Sequence, residues 1–388
     1  MTAYVHIGTE KTGTTTIQQF LLENYNLLLK QNMVYPKSFL KENQHWWIVD
    51  LACDTTLNKI DDFRKIILNG DYLSVINEIN QHRDKRFIFS SEGICRNCFC
   101  KEHIYNLRNI FKIFGFNKIY VVLYIREISE FIRSYSVQNI QGWAHFNTDK
   151  TIPSAHPRIY SFDLKRILED FSEVFGRENL IVRLFDKYEF YQSDLLKDFI
   201  YSINLKWDEK FIIPQKRNKS LDLLGIELQR RINKIFPHEF HSNPPYMPIK
   251  KNELRIDSLR YIKKYFQNSS DLHLKFQPSK KIIQSYIDYF KDSNEWIRKE
   301  FFPHKKILFP EKDLIDYKEN YELKEMKPEY WDKIAEFIAD ILKDKNKIIK
   351  QKNNKITDLS EVKNKLKVII EQKNNKITDL SEVKNKLK

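Results

Sequence analysis

The sequence predicts an α/β fold in which a parallel central sheet is flanked by helices, followed by a C-terminal helical extension and a coiled-coil tail. Three observations lead there. From residue 1 to about 225, short apolar runs rich in β-branched and aromatic residues alternate with helical patterns. The runs are unbroken, as in Tyr120-Val121-Val122-Leu123-Tyr124-Ile125, which suits strands covered on both faces. The last residues repeat at a heptad multiple. With 41% hydrophobic and 14% aromatic residues in 388, the chain has ample apolar surface for a core.

The strand candidates are residues 4–8, 86–90, 118–125 and 180–184, each followed by polar residues. In sheets of this kind ligands bind beyond the carboxyl ends of the strands, where every motif considered below falls. Residues 226–345 turn helical and rich in Tyr, Phe and Lys, with Pro237, Pro244, Pro245 and Pro248 marking a loop; this region is expected to pack on the core and contribute to an acceptor site. From residue 346 the chain changes character. Residues 351–367 recur unchanged as 372–388, an offset of 21 residues or three heptads. Ile349, Ile356, Ile370 and Ile377 then fall at a positions and Leu359, Leu366, Leu380 and Leu387 at d, with Lys363 and Lys384 at a and Lys352 and Lys373 at d. That pattern reads as a weak coiled coil stabilised by self-association, as a basic amphipathic helix on an anionic membrane, or as a solvated charged helix.

The chain carries 66 Lys and Arg against 52 Asp and Glu, a net charge of +14. Such a surplus implies an anionic partner without choosing one. About +5 of it lies in residues 351–388, which hold ten Lys and five acidic residues. No run approaches the ~20 apolar residues of a membrane span, and the start Met1-Thr2-Ala3-Tyr4-Val5-His6 lacks a secretory pattern. The expected location is cytoplasmic, with the tail leaving room for contact with the inner membrane surface. Four cysteines fit a reducing compartment. Cys95, Cys98 and Cys100 with His103 resemble a metal cluster, but structural zinc draws on two separated pairs and Cys53 is remote in sequence, so no metal is expected.

After the first strand comes Gly8-Thr9-Glu10-Lys11-Thr12-Gly13-Thr14-Thr15, then an amphipathic helix through Ile17, Phe20, Leu21 and Leu28. A strand, a Gly- and Thr-rich loop and a helix form a phosphate cradle, because backbone N–H groups and the helix N-terminus face the anion. Gly8 and Gly13 keep the spacing of a Walker A loop, yet Thr14 stands where its lysine belongs. Lys11 lies two residues before the second glycine instead, which argues against ATP hydrolysis.

Lys11-Thr12-Gly13-Thr14-Thr15 resembles the 5′-phosphosulfate loop of sulfotransferases that use 3′-phosphoadenosine 5′-phosphosulfate (PAPS), and with it their P-loop NTPase-like fold. The resemblance implies that Lys11 meets the bridging oxygen between phosphate and sulfate. It also implies that Thr12, Gly13, Thr14, Thr15 and Thr16 hold the 5′-phosphate, with no metal required. Arg126 closes a strand and Ser134 follows eight residues later on a predicted helix; in that family an Arg and a Ser at this spacing bind the 3′-phosphate. Lys216-Arg217-Asn218-Lys219-Ser220-Leu221 is similar to an N-x-S-L segment of bacterial members, implying further donor contacts from Arg217, Asn218 and Ser220; otherwise Ser220 caps the next helix. Asn294-Glu295-Trp296, Phe302-Pro303 and Leu308-Phe309 resemble the end of such proteins, so the likeness spans residues 1–310. The acceptor it implies is a hydroxyl on a carbohydrate or glycolipid.

An acceptor hydroxyl needs a general base. Glu92 ends the Arg86–Ser90 strand region, where several sulfotransferases place that base; the other reading is a carboxylate favoured by a helix N-terminus. His45, in Asn43-Gln44-His45-Trp46-Trp47, is the rival, either in the acceptor site or packed in the core. A P-loop kinase or hydrolase lacks its Walker lysine here, and the Arg126 strand ends without a metal-holding Asp. A nucleic-acid-binding protein suits the charge, but no zinc-finger, helix-turn-helix or RNP-like pattern stands out. No nucleic-acid partner is expected. A purely structural coiled coil leaves most of the chain unexplained.

Overall fold

The computed structural model describes residues 1–54, 60–68, 72–143, 147–215, 220–240, 248–267, 274–310 and 314–386. Its centre is a five-stranded sheet made of β1 (Thr2–His6), β2 (Met33–Val34), β3 (Arg86–Ser90), β4 (Lys118–Ile125) and β5 (Leu180–Leu184), in the order β2-β3-β1-β4-β5. Every pairing is parallel, with Thr2 opposite both Arg86 and Lys118, and Val121 opposite Leu180. Three strands keep the boundaries expected from sequence. β1 starts two residues earlier than expected, and the two-residue β2 carries too little pattern to be seen in advance.

Alternation along the strands builds two cores. Ala3, Val5, Ile7, Phe87, Phe89, Val121 and Leu123 face one side, against the helices Trp46–Ala52, Lys101–Ile113 and Leu164–Phe175. Tyr4, Ile88, Val122 and Tyr124 face the other, against Ile17, Phe20 and Leu21 of the Thr14–Glu23 helix and Leu196, Phe199 and Ile200 of the Leu195–Ser202 helix. Both faces are therefore buried, which is why these strands read as continuous apolar runs. Each buried Phe or Leu contributes on the order of 1.5–3 kcal/mol by leaving water.

The chain winds from the central β1 first to β2 and β3 on one side, then to β4 and β5 on the other. The direction reverses at β1, so a crevice opens beyond the carboxyl ends of β3, β1 and β4. After β5 come the helices Leu223–Ile235, Glu253–Tyr265, Lys280–Tyr289 and Lys291–Phe301, with a short antiparallel pair, Glu239–Phe240 and Pro248–Lys250. Pro244 and Pro245 lie outside the described residues.

By contacts the chain forms two compact units, Met1–Leu323 and Lys324–Lys388. The second is dominated by one helix, Pro328–Lys386, which is continuous through residue 346 and carries the repeat. Its Ile349, Ile356, Leu359, Leu366, Ile370, Ile377 and Leu380 are all exposed. No described helix is long and apolar enough to cross a membrane.

Candidate active site

The loop after β1 turns through three left-handed residues, Gly8 (φ 54°), Lys11 (φ 64°) and Gly13 (φ 77°). The two glycines are required by space as well as by φ. A Cβ on Gly8 would stand 2.8 Å from Thr14 Cγ2 and 3.1 Å from the Cα of Glu92, and one on Gly13 would lie 2.5 Å from Leu195 Cδ2. Lys11 adopts the same region at a cost of roughly 1–2 kcal/mol. Thr9 and Thr12 act as struts: the Thr9 hydroxyl donates to the Tyr124 carbonyl, and the Thr12 hydroxyl donates to the Thr9 carbonyl at 2.6 Å. Thr12 is buried, so its side chain holds the loop rather than facing a ligand. Gly13 starts the Thr14–Glu23 helix without a side-chain cap. Among the described residues no acceptor takes the backbone N–H groups of Gly13, Thr14 and Thr15, and the side chains of Thr15 and Thr16 are exposed. Unclaimed amides at a helix N-terminus are suited to an oxyanion.

Lys11, Gly13, Thr14, Thr15, Thr16, Glu92 and Ser134 line one cavity of about 550 Å³, together with Ser220 and Lys263. Burial holds the Lys11 ammonium below the usual lysine range, opposed by the carboxylates of Glu92 and Glu10. Glu92 begins the Glu92–Asn97 helix, and its N–H donates to Gln44 Oε1 at 3.2 Å. Burial, reinforced by the nearby Glu10 carboxylate, pushes the Glu92 carboxyl up to about 7, while Arg96, Lys11 and Arg158 pull the other way. A carboxyl raised toward neutrality beside a half-buried lysine is suited to proton transfer. Glu10 is buried and tied to Arg96 Nη1 at 3.3 Å, so it sets the field around Glu92 and Lys11.

Arg126 follows β4 directly. Its Nη1 donates to the Lys11 carbonyl at 2.8 Å, and its Nη2 stands 3.4 Å from Glu130 Oε2. Glu127 caps the Ile128–Gln138 helix by accepting from the N–H groups of Ser129 and Glu130, which presents Ser134 eight residues beyond Arg126. Arg126, Ser134 and Ser220 line a second cavity of about 180 Å³ with Arg133 and Lys275, and Ser134 and Ser220 border both cavities. Three cations stand around two hydroxyls here, and Arg126 and Arg133 share the Glu130 carboxylate, which leaves the pocket with a net positive charge suited to an anion.

His45 requires a correction. It is fully buried, its Nδ1 accepts from the Ser90 N–H at 3.1 Å, and its Nε2 therefore carries the proton and donates to the Pro36 carbonyl at 2.9 Å. Burial lowers its pKa to about 4. Both nitrogens are committed within the fold, so His45 braces β3 and has no lone pair for a substrate. Trp47 belongs to the core, and Trp46 packs against Gly93.

Ser220 does not cap a helix either. Asp222 caps Leu223–Ile235 by accepting from the Gly225 N–H at 2.8 Å, and Ser220 is left exposed at the cavity rim. Arg217 and Asn218 lie outside the described residues. Cys53, remote in sequence, has its Sγ 3.7 Å from Cys98 Sγ, and its thiol is pulled down to about 6 by Cys98 and the adjacent His103. All four cysteines are free thiols. Among the described residues no three His, Cys, Asp or Glu side chains are arranged to hold a metal, Cys95, Cys100 and His103 included.

Arg133, Arg158, Lys263 and Lys275 border or electrostatically face the site and carry no sequence motif. Only the spatial return of the helical extension to the strand ends brings Lys263 and Lys275 there.

No family model matches the chain, and no curated protein matches it. Among solved structures, the sulfotransferase from Alicyclobacillus acidocaldarius is similar over 55% of this chain and 85% of its own, at 11% identity and a TM-score of 0.34. A likeness at that level carries no argument about activity, which rests on the residues themselves.

Proposed function

We propose that the chain is a sulfotransferase that moves a sulfuryl group from PAPS to an acceptor hydroxyl on a carbohydrate or glycolipid. The observation that carries the reading is the adjacency of two anion receptors. One is the Lys11 and Gly13–Thr16 cradle, and the other is the pocket of Arg126, Arg133, Ser134 and Lys275; both border Ser134 and Ser220. A nucleotide phosphorylated at both the 3′ and 5′ positions presents two such anions.

In this reading the cradle N–H groups and the Thr15 and Thr16 hydroxyls hold the 5′-phosphate, while Arg126 and Ser134 hold the 3′-phosphate. Glu92 takes the proton of the acceptor hydroxyl as the acceptor oxygen–sulfur bond forms. The bond from sulfur to the 5′-phosphate oxygen breaks, and its electron pair stays on that oxygen beside the Lys11 ammonium. Positioning and charge stabilisation supply most of such an acceleration. Calorimetry with 3′,5′-bisphosphoadenosine tests the donor side: tight binding without metal, weakened in Lys11→Ala and Arg126→Ala, is expected. Absence of binding, or binding unchanged in both variants, sinks the reading. Mass spectrometry of surface glycans from cells with and without the gene tests the acceptor class.

The tail is assigned to self-association. Isoleucines and leucines at heptad spacing lie exposed along one 59-residue helix, and a second copy of the same helix covers them in register. Lysines in both core columns keep that association weak.

A further inference from the structure

A second large cavity, of about 560 Å³, lies beside the Leu223–Ile235 helix. Its lining includes five cations, Lys150, Arg230, Arg231, Lys234 and Arg255, against the carboxylates Glu227 and Glu322. Arg230 is neutralised by Glu227 and by the buried Asp149, and Lys150 stands 3.8 Å from Glu322. Among the described residues, no carboxylate pairs with Arg231, Lys234 or Arg255. Arg255 is the decisive one. It is only 4% exposed, its Nε has no hydrogen-bond partner, and burial alone lowers its guanidinium to about 10. An unpaired buried cation opposes folding, so a compensating anion is the natural occupant of the space it faces.

The cavity adjoins the candidate active site through two elements. The π-helical turn Asn139–Trp143 gives Asn139 and Ile140 to this cavity, while Gln138 and Gln141 line the Lys11 cavity. The Glu253–Tyr265 helix gives Arg255 to this cavity and Lys263 to the other. Eight helical residues place those two positions about 12 Å apart along the axis, a span that one extended acceptor molecule can bridge.

We propose that this cavity is an anion subsite in which Arg255 binds an acidic group, a carboxylate or a phosphate-type oxyanion, carried by the acceptor. The placement on the acceptor rests on the sulfotransferase reading above; the anion site itself does not.

The test uses the full chain with the donor site saturated by 3′,5′-bisphosphoadenosine, so that added anions cannot occupy the loop. Glucuronate, glucose and inorganic phosphate are titrated separately at low ionic strength, and binding is followed by calorimetry and thermal unfolding. Wild type is expected to bind glucuronate at least tenfold more tightly than glucose. R255M removes that preference, while nucleotide binding stays within twofold. R255M also raises Tm in the absence of anions, because an uncompensated charge has gone; an arginine with a structural role would lower it. No glucuronate preference in wild type, or a preference retained in R255M, overturns the subsite, as does a lowered Tm. Phosphate binding without preference for glucuronate over glucose overturns its placement on the acceptor. Should the nucleotide fail to bind, the donor reading falls separately, and the R255M comparison is then made in K11A.

Discussion

The Arg126 guanidinium donates a 2.8 Å hydrogen bond through Nη1 to the carbonyl oxygen of Lys11, 115 positions earlier in the chain. The bond ties the end of β4 to the loop after β1 and fixes the left-handed turn at Lys11. One residue thus shapes the loop and lines the adjacent 180 Å³ pocket. Arg126→Lys keeps the charge but loses the planar fork. A charge-assisted hydrogen bond is worth about 1.5–3 kcal/mol, so calorimetry should show 3′,5′-bisphosphoadenosine binding weakened about 10- to 100-fold. Adenosine 5′-phosphate, lacking the 3′ group, should lose less. Equal losses for the two nucleotides would remove the 3′-phosphate assignment.

In the proposed mechanism Glu92 sets the acid limb of the pH profile. With its carboxyl raised to about 7, transfer should rise as pH increases through 7. The Glu10 carboxylate contributes to that elevation, so Glu10→Gln should move the limb to lower pH. Glu92→Gln should abolish transfer and leave donor affinity within a few-fold. A limb that does not move in Glu10→Gln argues that another group is titrating.

The same group predicts a stability difference with a defined sign. The folded-state pKa of Glu92 exceeds its ordinary value of 4.5, so the native state holds the proton more tightly and loses stability as pH rises from 4.5 through 7. Glu92→Gln should therefore raise Tm at pH 8 and change it little at pH 5. Differential scanning calorimetry at the two pH values checks this.

Histidines act in the opposite direction. His45 is lowered to about 4, and His6 and His156 to about 3, each chiefly by burial. Unfolding lets all three take up protons below 6.5, so their contribution is present above pH 6.5 and fades as pH falls toward 4. Tm should drop on acidification in that window. His45→Ala should cost about 2–4 kcal/mol in denaturant unfolding, through two lost hydrogen bonds and a cavity beside Phe89. Retention of transfer in the folded fraction would agree with a bracing role, whereas full loss of transfer at unchanged stability would restore His45 as the base.

Deletion of residues 346–388 should abolish concentration-dependent association in light scattering and leave nucleotide affinity unchanged. Ile356→Asn with Ile377→Asn should do the same by placing amides at two a positions. A full chain that stays monomeric at high concentration, yet sediments with anionic vesicles, would move the tail to the membrane reading.

The chain itself was sufficient for the layered α/β fold, because a strand buried on both faces must be apolar throughout and Arg86–Ser90, Lys118–Ile125 and Leu180–Leu184 are. It was sufficient as well for the tight turn from β1 into the next helix, since Gly8 and Gly13 stand at left-handed φ where a Cβ would also lack space. These are local requirements, and local requirements leave a mark on neighbouring residues. Other features depended on tertiary structure: which of Glu92 and His45 keeps a free proton acceptor, that Cys53 meets Cys98, that Arg133, Lys263 and Lys275 border the site, and that Arg255 lines the neighbouring cavity. Burial, pKa and charge compensation are set by atoms from distant segments, and no spacing along the chain encodes them.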